Sequence, residues 1–258
     1  MSRSDIDLSI ILPAYMEAGG IADALDRLAA FLKTRNYGVV EVLVVVADSP
    51  DGTAKIAEHK AKLFQHFRVI HAGPRVGKGR DVRLGIFEAV GRYRVFMDAD
   101  LATPLEHLDD VKQLMDAGGH VGIAVRDLIQ IHKGFLRKFM SSFGNIVAQV
   151  VLLPGIKDTQ CGFKVFEAEA AEAIFARQTM LGWSFDAEVL KIARLLGYKI
   201  TTFEAPDWKD PKAEGMGLVG DSPLGAAIRT FRDLFIVRWN VITGRYRKPN
   251  YAHKAIYN

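Results

Sequence analysis

Cysteine is nearly missing from this sequence: Cys161 stands alone among 258 residues. No intramolecular disulfide can form, which points to a reducing compartment. No stretch reaches the roughly 18 uninterrupted apolar residues that a membrane-spanning helix needs. The first residues, Met1 to Asp7, are polar and acidic rather than leader-like. Internal repeats and low-complexity tracts are absent, which excludes solenoids and arrays. The seven histidines are scattered, and no His/Cys cluster has zinc-ligand spacing. The segment Gly73 to Arg80 has the composition of a phosphate loop. Its glycines Gly73 and Gly77 stand one residue too close, however, and no Ser or Thr follows Lys78. A dinucleotide Gly-x-Gly-x-x-Gly fingerprint is absent as well, so spacing excludes two common nucleotide-binding classes.

What is present is enough apolar material, 49% of the chain, to bury a large core. Basic residues are clustered: Arg68 to Arg94 holds seven against two acidic, and Ile228 to Asn258 seven against one. That asymmetry suggests anionic partners on one side of the molecule. Short apolar runs alternate with helical patterns, which predicts an α/β fold with a mostly parallel, mixed sheet flanked by helices. The expected strands are Leu8–Leu12, Val39–Val46, Phe67–His71, Arg94–Met97, Val121–Val125, Phe163–Phe166 and Ile200–Glu204. The expected helices are Gly20–Thr34, Gly52–Phe64, Gly79–Val90, Leu105–Ala117, Gly134–Leu153, Ala168–Arg177, Phe185–Leu196 and Leu224–Ile242. Pro206–Pro223, rich in Asp, Gly, Pro and Lys, reads as a loop.

The chemistry concentrates where strands end, since open α/β sheets bind ligands at the carboxyl ends of their strands. The run Val95, Phe96, Met97 stops at two carboxylates on alternate residues, Asp98 and Asp100, and Pro104 follows. Two hard oxygen donors there suit a divalent cation held partly by substrate phosphates; the same pattern also serves as a solvated acidic turn with a capping Asp. The first strand runs into Pro13, Ala14, Tyr15, Met16 and Glu17. The ring and the carboxylate suit a base and a ribose, or a loop packed on the core. The second strand runs into Asp48, Ser49, Pro50, Asp51, Gly52 and Thr53, residue types that also make ordinary turns and caps. Around Gly77, Lys78 and Gly79, open backbone N–H groups and an ammonium favour phosphate.

In this order, these segments resemble the family-2 glycosyltransferases of the GT-A fold, and more narrowly the polyprenyl- and dolichyl-phosphate sugar synthases. The resemblance spans about Ser9 to Glu188. Its most specific element is Asp158-Thr159-Gln160-Cys161-Gly162-Phe163-Lys164, similar to a block of dolichyl-phosphate glucose synthases. It implies a metal-dependent, inverting transfer of a hexose from a nucleotide-sugar donor to a polyprenyl phosphate. Asp98 and Asp100 would hold Mg²⁺ or Mn²⁺, with Asp98 also near the donor. Pro13, Ala14, Tyr15, Glu17, Asp48, Asp51 and Lys78 would line the donor site. Arg126, on the acceptor side, would meet the acceptor phosphate with Arg137 and Lys138, although the last two also suit a solvated helix face. Asp158 would orient Arg126 or the sugar. It or Asp186 would be the base if the acceptor were a hydroxyl.

Two departures from the family pattern bear on the donor. Val46 and Ala47 occupy the places of a usual aspartate pair, leaving Asp48 one position later. Ala102 stands where mannose-type relatives carry Gln, which favours UDP-glucose over GDP-mannose. The resemblance further implies a catalytic region at residues 1–220 and a basic amphipathic segment at 221–258. Two segments, Phe135–Leu153 and Ile228–Arg247, suit an anionic membrane surface or the completion of a core or dimer interface. The expectation is a peripheral enzyme on the cytoplasmic face of the membrane, with no nucleic-acid partner and self-association left open. Two other readings remain: a GT-A transferase with a saccharide or soluble acceptor, and a non-catalytic sugar-nucleotide binding module.

Overall fold

Alternation of apolar residues sets the layers. In β1 (Leu8–Ala14), Leu8, Ile10 and Leu12 join one buried cluster and Ile11 the other, as side chains on alternate faces must. The computed structural model describes residues 5–126, 153–156, 158–208 and 223–249. The remaining strands are β2 (Val40–Ala47), β3 (His66–Gly73), β4 (Tyr93–Met97), β5 (Val121–Arg126), β6 (Phe163–Glu167) and β7 (Ile200–Ala205). The helices are α1 (Ile21–Lys33), α2 (Thr53–His59), α3 (Lys78–Glu88), α4 (His107–Asp116), α5 (Ala168–Phe175), α6 (Phe185–Leu195) and α7 (Pro223–Ile242). All seven expected strands are present. The expected helix Gly134–Leu153, with Arg137 and Lys138, lies outside the described residues except for Leu153.

The strands form one sheet in the order β3-β2-β1-β4-β6-β5-β7. The pairs β3–β2, β2–β1, β1–β4 and β5–β7 are parallel, while β6 runs antiparallel to both of its neighbours. Residues of α1, α2 and α4 pack on one face and residues of α3, α5, α6 and α7 on the other.

The reversed strand shapes the site. Because β6 is antiparallel, Met97 at the end of β4 pairs with Phe163 at the start of β6. The chain entering β6 therefore lies at the same edge as the chain leaving β1, β2, β4 and β5. A loop that precedes a strand thus joins loops that follow strands.

Phe96 anchors the floor of that edge. It is fully buried, its ring centroid 5.6 Å from that of Phe185 and 6.3 Å from that of Phe166. Phe96→Ala removes this contact beneath Asp98 and is expected to destabilise the fold by about 3–5 kcal/mol, read as a lower midpoint in urea denaturation.

Candidate active site

The loop after β1 is braced by the loop after β2. The backbone N–H of Met16 donates to Ser49 Oγ (2.9 Å), that of Glu17 to Thr53 Oγ1 (3.0 Å) and that of Ala18 to Asp51 Oδ2 (3.0 Å). Met16 takes a positive φ of 57°, uncommon for a residue with a side chain. Asp51 also accepts hydrogen bonds from Ser49 and Thr53. Desolvation would raise its pKa, but these bonds outweigh it and hold the carboxyl well below the usual carboxylate range. Asp51 is therefore a strut between two loops. Asp48 is exposed and follows a register shift between Val46 and Ala47 against β3; it is not among the residues lining the cleft described next.

A cleft of about 320 Å³ opens at the carboxyl edge of the sheet. Pro13, Ala14, Tyr15 and Glu17 line it from the β1 loop, and Arg75, Gly77, Lys78 and Asp81 from the start of α3. Asp98, Ala99 and Asp100 line it from the end of β4, and Trp183 from the loop between α5 and α6. The Arg75 guanidinium carbon sits 4.2 Å from the Tyr15 ring centroid, a cation–π contact. Lys78 donates through Nζ to Asp98 Oδ1. Burial opposes the Lys78 charge, but Asp98 and Asp186 outweigh it and raise its pKa.

The Asp-x-Asp turn is tightly held. Leu101 takes a φ of 53°, its N–H donates to the Asp98 carbonyl (3.0 Å), and the Ala102 N–H donates to Asp100 Oδ1 (3.1 Å). A non-glycine residue in the left-handed region is strained, and such strain concentrates at functional sites. Gly162 backs Asp98 so closely that a Cβ there would lie 1.9 Å from Asp98 Oδ2.

Beneath this turn lies a second ion pair. Lys164 of β6 donates to Asp186 of α6 and to the Cys161 carbonyl (2.5 Å), with side-chain exposures of 0% for Lys164 and 3% for Asp186. Burial pushes the Asp186 carboxyl up, while Lys164 and Lys78 pull it down without cancelling that push. Towards β5, Arg126 binds Asp158 in a two-pronged pair, Nε to Oδ2 at 2.6 Å and Nη2 to Oδ1 at 3.1 Å. Desolvation opposes the Asp158 charge, yet Arg126 and the Gln160 N–H hold its carboxyl below the ordinary value. Trp208 lies against the Arg126 guanidinium at 4.9 Å. The neighbouring Asp207 is gripped by His107 Nε2 (3.0 Å), whose Nδ1 meets Asp110 (2.7 Å).

Asp158 and Asp186 are both buried and both ion-paired. A general base must reach the proton that it removes, and each of these carboxylates is already engaged by a cation. Among the described residues no group of three or more His, Cys, Asp or Glu could hold a metal. Asp98 and Asp100 fit a cation that takes its remaining ligands from substrate phosphates and water, as Mg²⁺ commonly does. Of the other lining residues, Asp81 stands in no motif, whereas Arg75 lies within the Gly73 to Arg80 segment and Trp183 opens the stretch Trp183 to Glu188, which resembles a segment of the family. Lys164 stands inside the most specific motif, but only the pairing of β6 with β4 shows that it underlies Asp98.

A single sheet between two helical layers, whose carboxyl edge carries an Asp-x-Asp turn beside a basic glycine loop, is the GT-A architecture of nucleotide-sugar transferases. The chain belongs to glycosyl transferase family 2, which it matches over residues 9–175. The dolichyl-phosphate beta-glucosyltransferase of Saccharomyces cerevisiae is 31% identical over 268 residues, covering 94% of this chain and 77% of that protein. Among solved structures, mannosyl-3-phosphoglycerate synthase from Rubrobacter xylanophilus superposes with a TM-score of 0.68 at 18% identity, covering 93% of this chain and 75% of that one. Glucosyl-3-phosphoglycerate synthase from Mycobacterium tuberculosis, in complex with Mn²⁺, UDP-glucose and glycerol 3-phosphate, gives 0.59 at 16% identity, covering 96% and 83%. These structural likenesses establish the fold.

Gly162→Ala should displace Asp98 without unfolding the sheet. Glycosyltransferase turnover is expected to fall on the order of 10²-fold while the circular dichroism spectrum is retained. The Arg126–Asp158 pair sets a pH dependence. The folded pKa of Asp158 lies below its unfolded value of 3.8, so the pair's stabilisation is complete above that value and fades as pH falls through the folded one. Arg126→Met is expected to cost about 3–5 kcal/mol at pH 7. In urea unfolding, the gap between variant and wild type should narrow below about pH 4.

Proposed function

We propose that this enzyme transfers glucose from UDP-glucose to the phosphate of a polyprenyl phosphate, with inversion at the sugar carbon. The observation that carries this reading is the state of its buried carboxylates. Asp158 and Asp186 are bound to Arg126 and Lys164, which speaks against either as a base for a hydroxyl acceptor. A phosphate acceptor is already anionic and needs none; it needs a cation to position it. Arg126, ordered by Asp158, supplies one, and guanidinium groups suit phosphate oxygens. The yeast relative's name, dolichyl-phosphate beta-glucosyltransferase, supports the same acceptor and sugar.

In this reaction a phosphate oxygen attacks the glucose C1, the bond from C1 to the diphosphate oxygen breaks, and UDP leaves with the electron pair. Asp98 and Asp100 would hold a Mg²⁺ or Mn²⁺ ion, which neutralises charge on the departing diphosphate. Lys78 adds a positive charge at the same end of the cleft. Tyr15 and Glu17 face the nucleoside end, on the loop braced by Asp51.

The surface of α7 supports action at a bilayer. Leu234 and Val237 are buried in the core, whereas Phe235, at 66%, and Trp239, at 65%, are exposed together with Ile236 and Ile242. Arg232, Arg238, Arg245, Arg247 and Lys248 are exposed around them. Apolar residues ringed by basic ones suit the interface of an anionic membrane, where each basic residue adds about 1 kcal/mol. No helix among the described residues is long and apolar enough to cross a membrane. The reading is of a peripheral enzyme at the cytoplasmic face.

Incubation with a short-chain polyprenyl phosphate and Mn²⁺ should yield a glucolipid from UDP-glucose and none from GDP-mannose. EDTA should abolish the product, and Asp100→Ala should cut the rate by about 10²-fold or more. Donor hydrolysis without glycolipid would favour a saccharide or soluble acceptor; no turnover of either donor would favour a binding module. Wild-type protein should float with anionic liposomes, and Phe235→Glu/Trp239→Glu should remain in solution.

A further inference from the structure

Trp183 has no part in the chemistry above, yet its setting is built at some cost. The residue is 70% exposed, although Trp is among the more buried residue types on average. It lines the donor cleft, and Lys78 Nζ lies 5.3 Å from its ring centroid.

The backbone that carries it is fixed from several sides. Glu188, a fully buried carboxylate of α6, accepts the N–H of Met180 (2.8 Å), the N–H of Thr179 (3.0 Å) and the hydroxyls of Thr179 (2.5 Å) and Tyr246 (2.8 Å). Burying a carboxylate is unfavourable unless hydrogen bonds satisfy it, and the bonds from Thr179 and Met180 order the approach to Trp183. Gln178 Nε2 donates to the carbonyls of Gly79 (3.0 Å) and Met180 (2.6 Å), and the Arg80 N–H donates to the Leu181 carbonyl (3.1 Å). A Cβ on Gly77 would lie 2.4 Å from the Leu181 oxygen, so only glycine lets α3 and this loop approach as they do. On the far side, Ser184 Oγ donates to Asp233 of α7 (2.7 Å). An exposed aromatic ring on a rigid backbone is what a stacking site requires, because ordering entropy is settled before the ligand arrives.

We propose that Trp183 is the stacking platform for the transferred hexose; this rests on the donor reading above. A pyranose chair with equatorial hydroxyls presents faces of weakly positive C–H groups, which pack on the negative face of an indole. Position along the cleft selects the sugar rather than the base. Trp183 shares Lys78 with Asp98, at the diphosphate end, whereas Tyr15 and Arg75 stand together elsewhere on the lining. The platform therefore meets the part of the donor that leaves with the acceptor, and it contributes to selecting which hexose is moved.

The test compares UDP-glucose with UDP by calorimetry on the full chain in the presence of Mn²⁺. Trp183→Ala should weaken UDP-glucose about tenfold, equivalent to 1.4 kcal/mol, and leave UDP within about twofold; Trp183→Phe should keep most of the UDP-glucose affinity. Equal losses for both ligands would mean a structural role and overturn the proposal. Unchanged UDP-glucose affinity with weaker liposome flotation would also overturn it, by making Trp183 a lipid contact. If wild type bound UDP-glucose and made glucolipid while Trp183→Ala behaved identically, the platform alone would fall. If wild type did not bind UDP-glucose, the donor reading would fall and the platform with it.

Discussion

Two stacked ion pairs, one half-buried and one fully buried, hold the catalytic edge in shape. Lys78 binds Asp98 at the cleft surface, and Lys164 binds Asp186 one layer deeper, with Phe96 packed beside Lys164. An isolated charge could not be buried at the depth of Lys164 and Asp186. Removing one member leaves its partner uncompensated, which is why such pairs are costly to break even where they add little net stability. The arrangement places a carboxylate at the strand end in a defined position without a surrounding cluster of further acids. Gly162 gives Asp98 room, and the strained Leu101 turns the chain so that Asp100 follows on the same loop.

The strand pattern was readable because each strand is a short apolar run closed by turn residues, and all seven lie where periodicity puts them. Direction was not readable in the same way. An apolar run such as Phe163–Phe166 looks the same whichever way it pairs, so the reversal of β6, and with it the placing of Gly162 beside Asp98, needed the register. Residue roles divide along the same line. Asp98, Asp100, Lys78 and Tyr15 occupy one cleft, as their positions at strand ends imply. Asp51 has a suitable type and place, but its oxygens are taken by Ser49, Thr53 and Ala18, contacts that cross between loops. Trp183 opens a stretch that resembles a segment of the family, but its significance lies in its exposure, which a sequence does not carry.

One helix serves two solvents. The inward stripe of α7, Leu234 and Val237, completes the core, while Phe235 and Trp239 on the same turns face outward. Apolar residues on nearly all sides of a helix usually indicate full burial. Here the arginines between them make the second face both apolar and basic, the feature on which the proposed membrane-surface reading rests. The core and interface readings of this segment are therefore compatible, since they concern opposite faces.

The Arg126–Asp158 pair carries an entropic consequence. A free arginine side chain samples many rotamers, and fixing it on contact with a ligand costs about 0.5–1.5 kcal/mol. Asp158 has already fixed this one through two of its N–H groups, with Trp208 against the guanidinium plane. That loss is incurred once, when the chain folds, and not again at each turnover. On the proposed reading, an acceptor phosphate arriving at β5 would meet a guanidinium whose orientation is settled, and its release would restore no disorder for the next to remove.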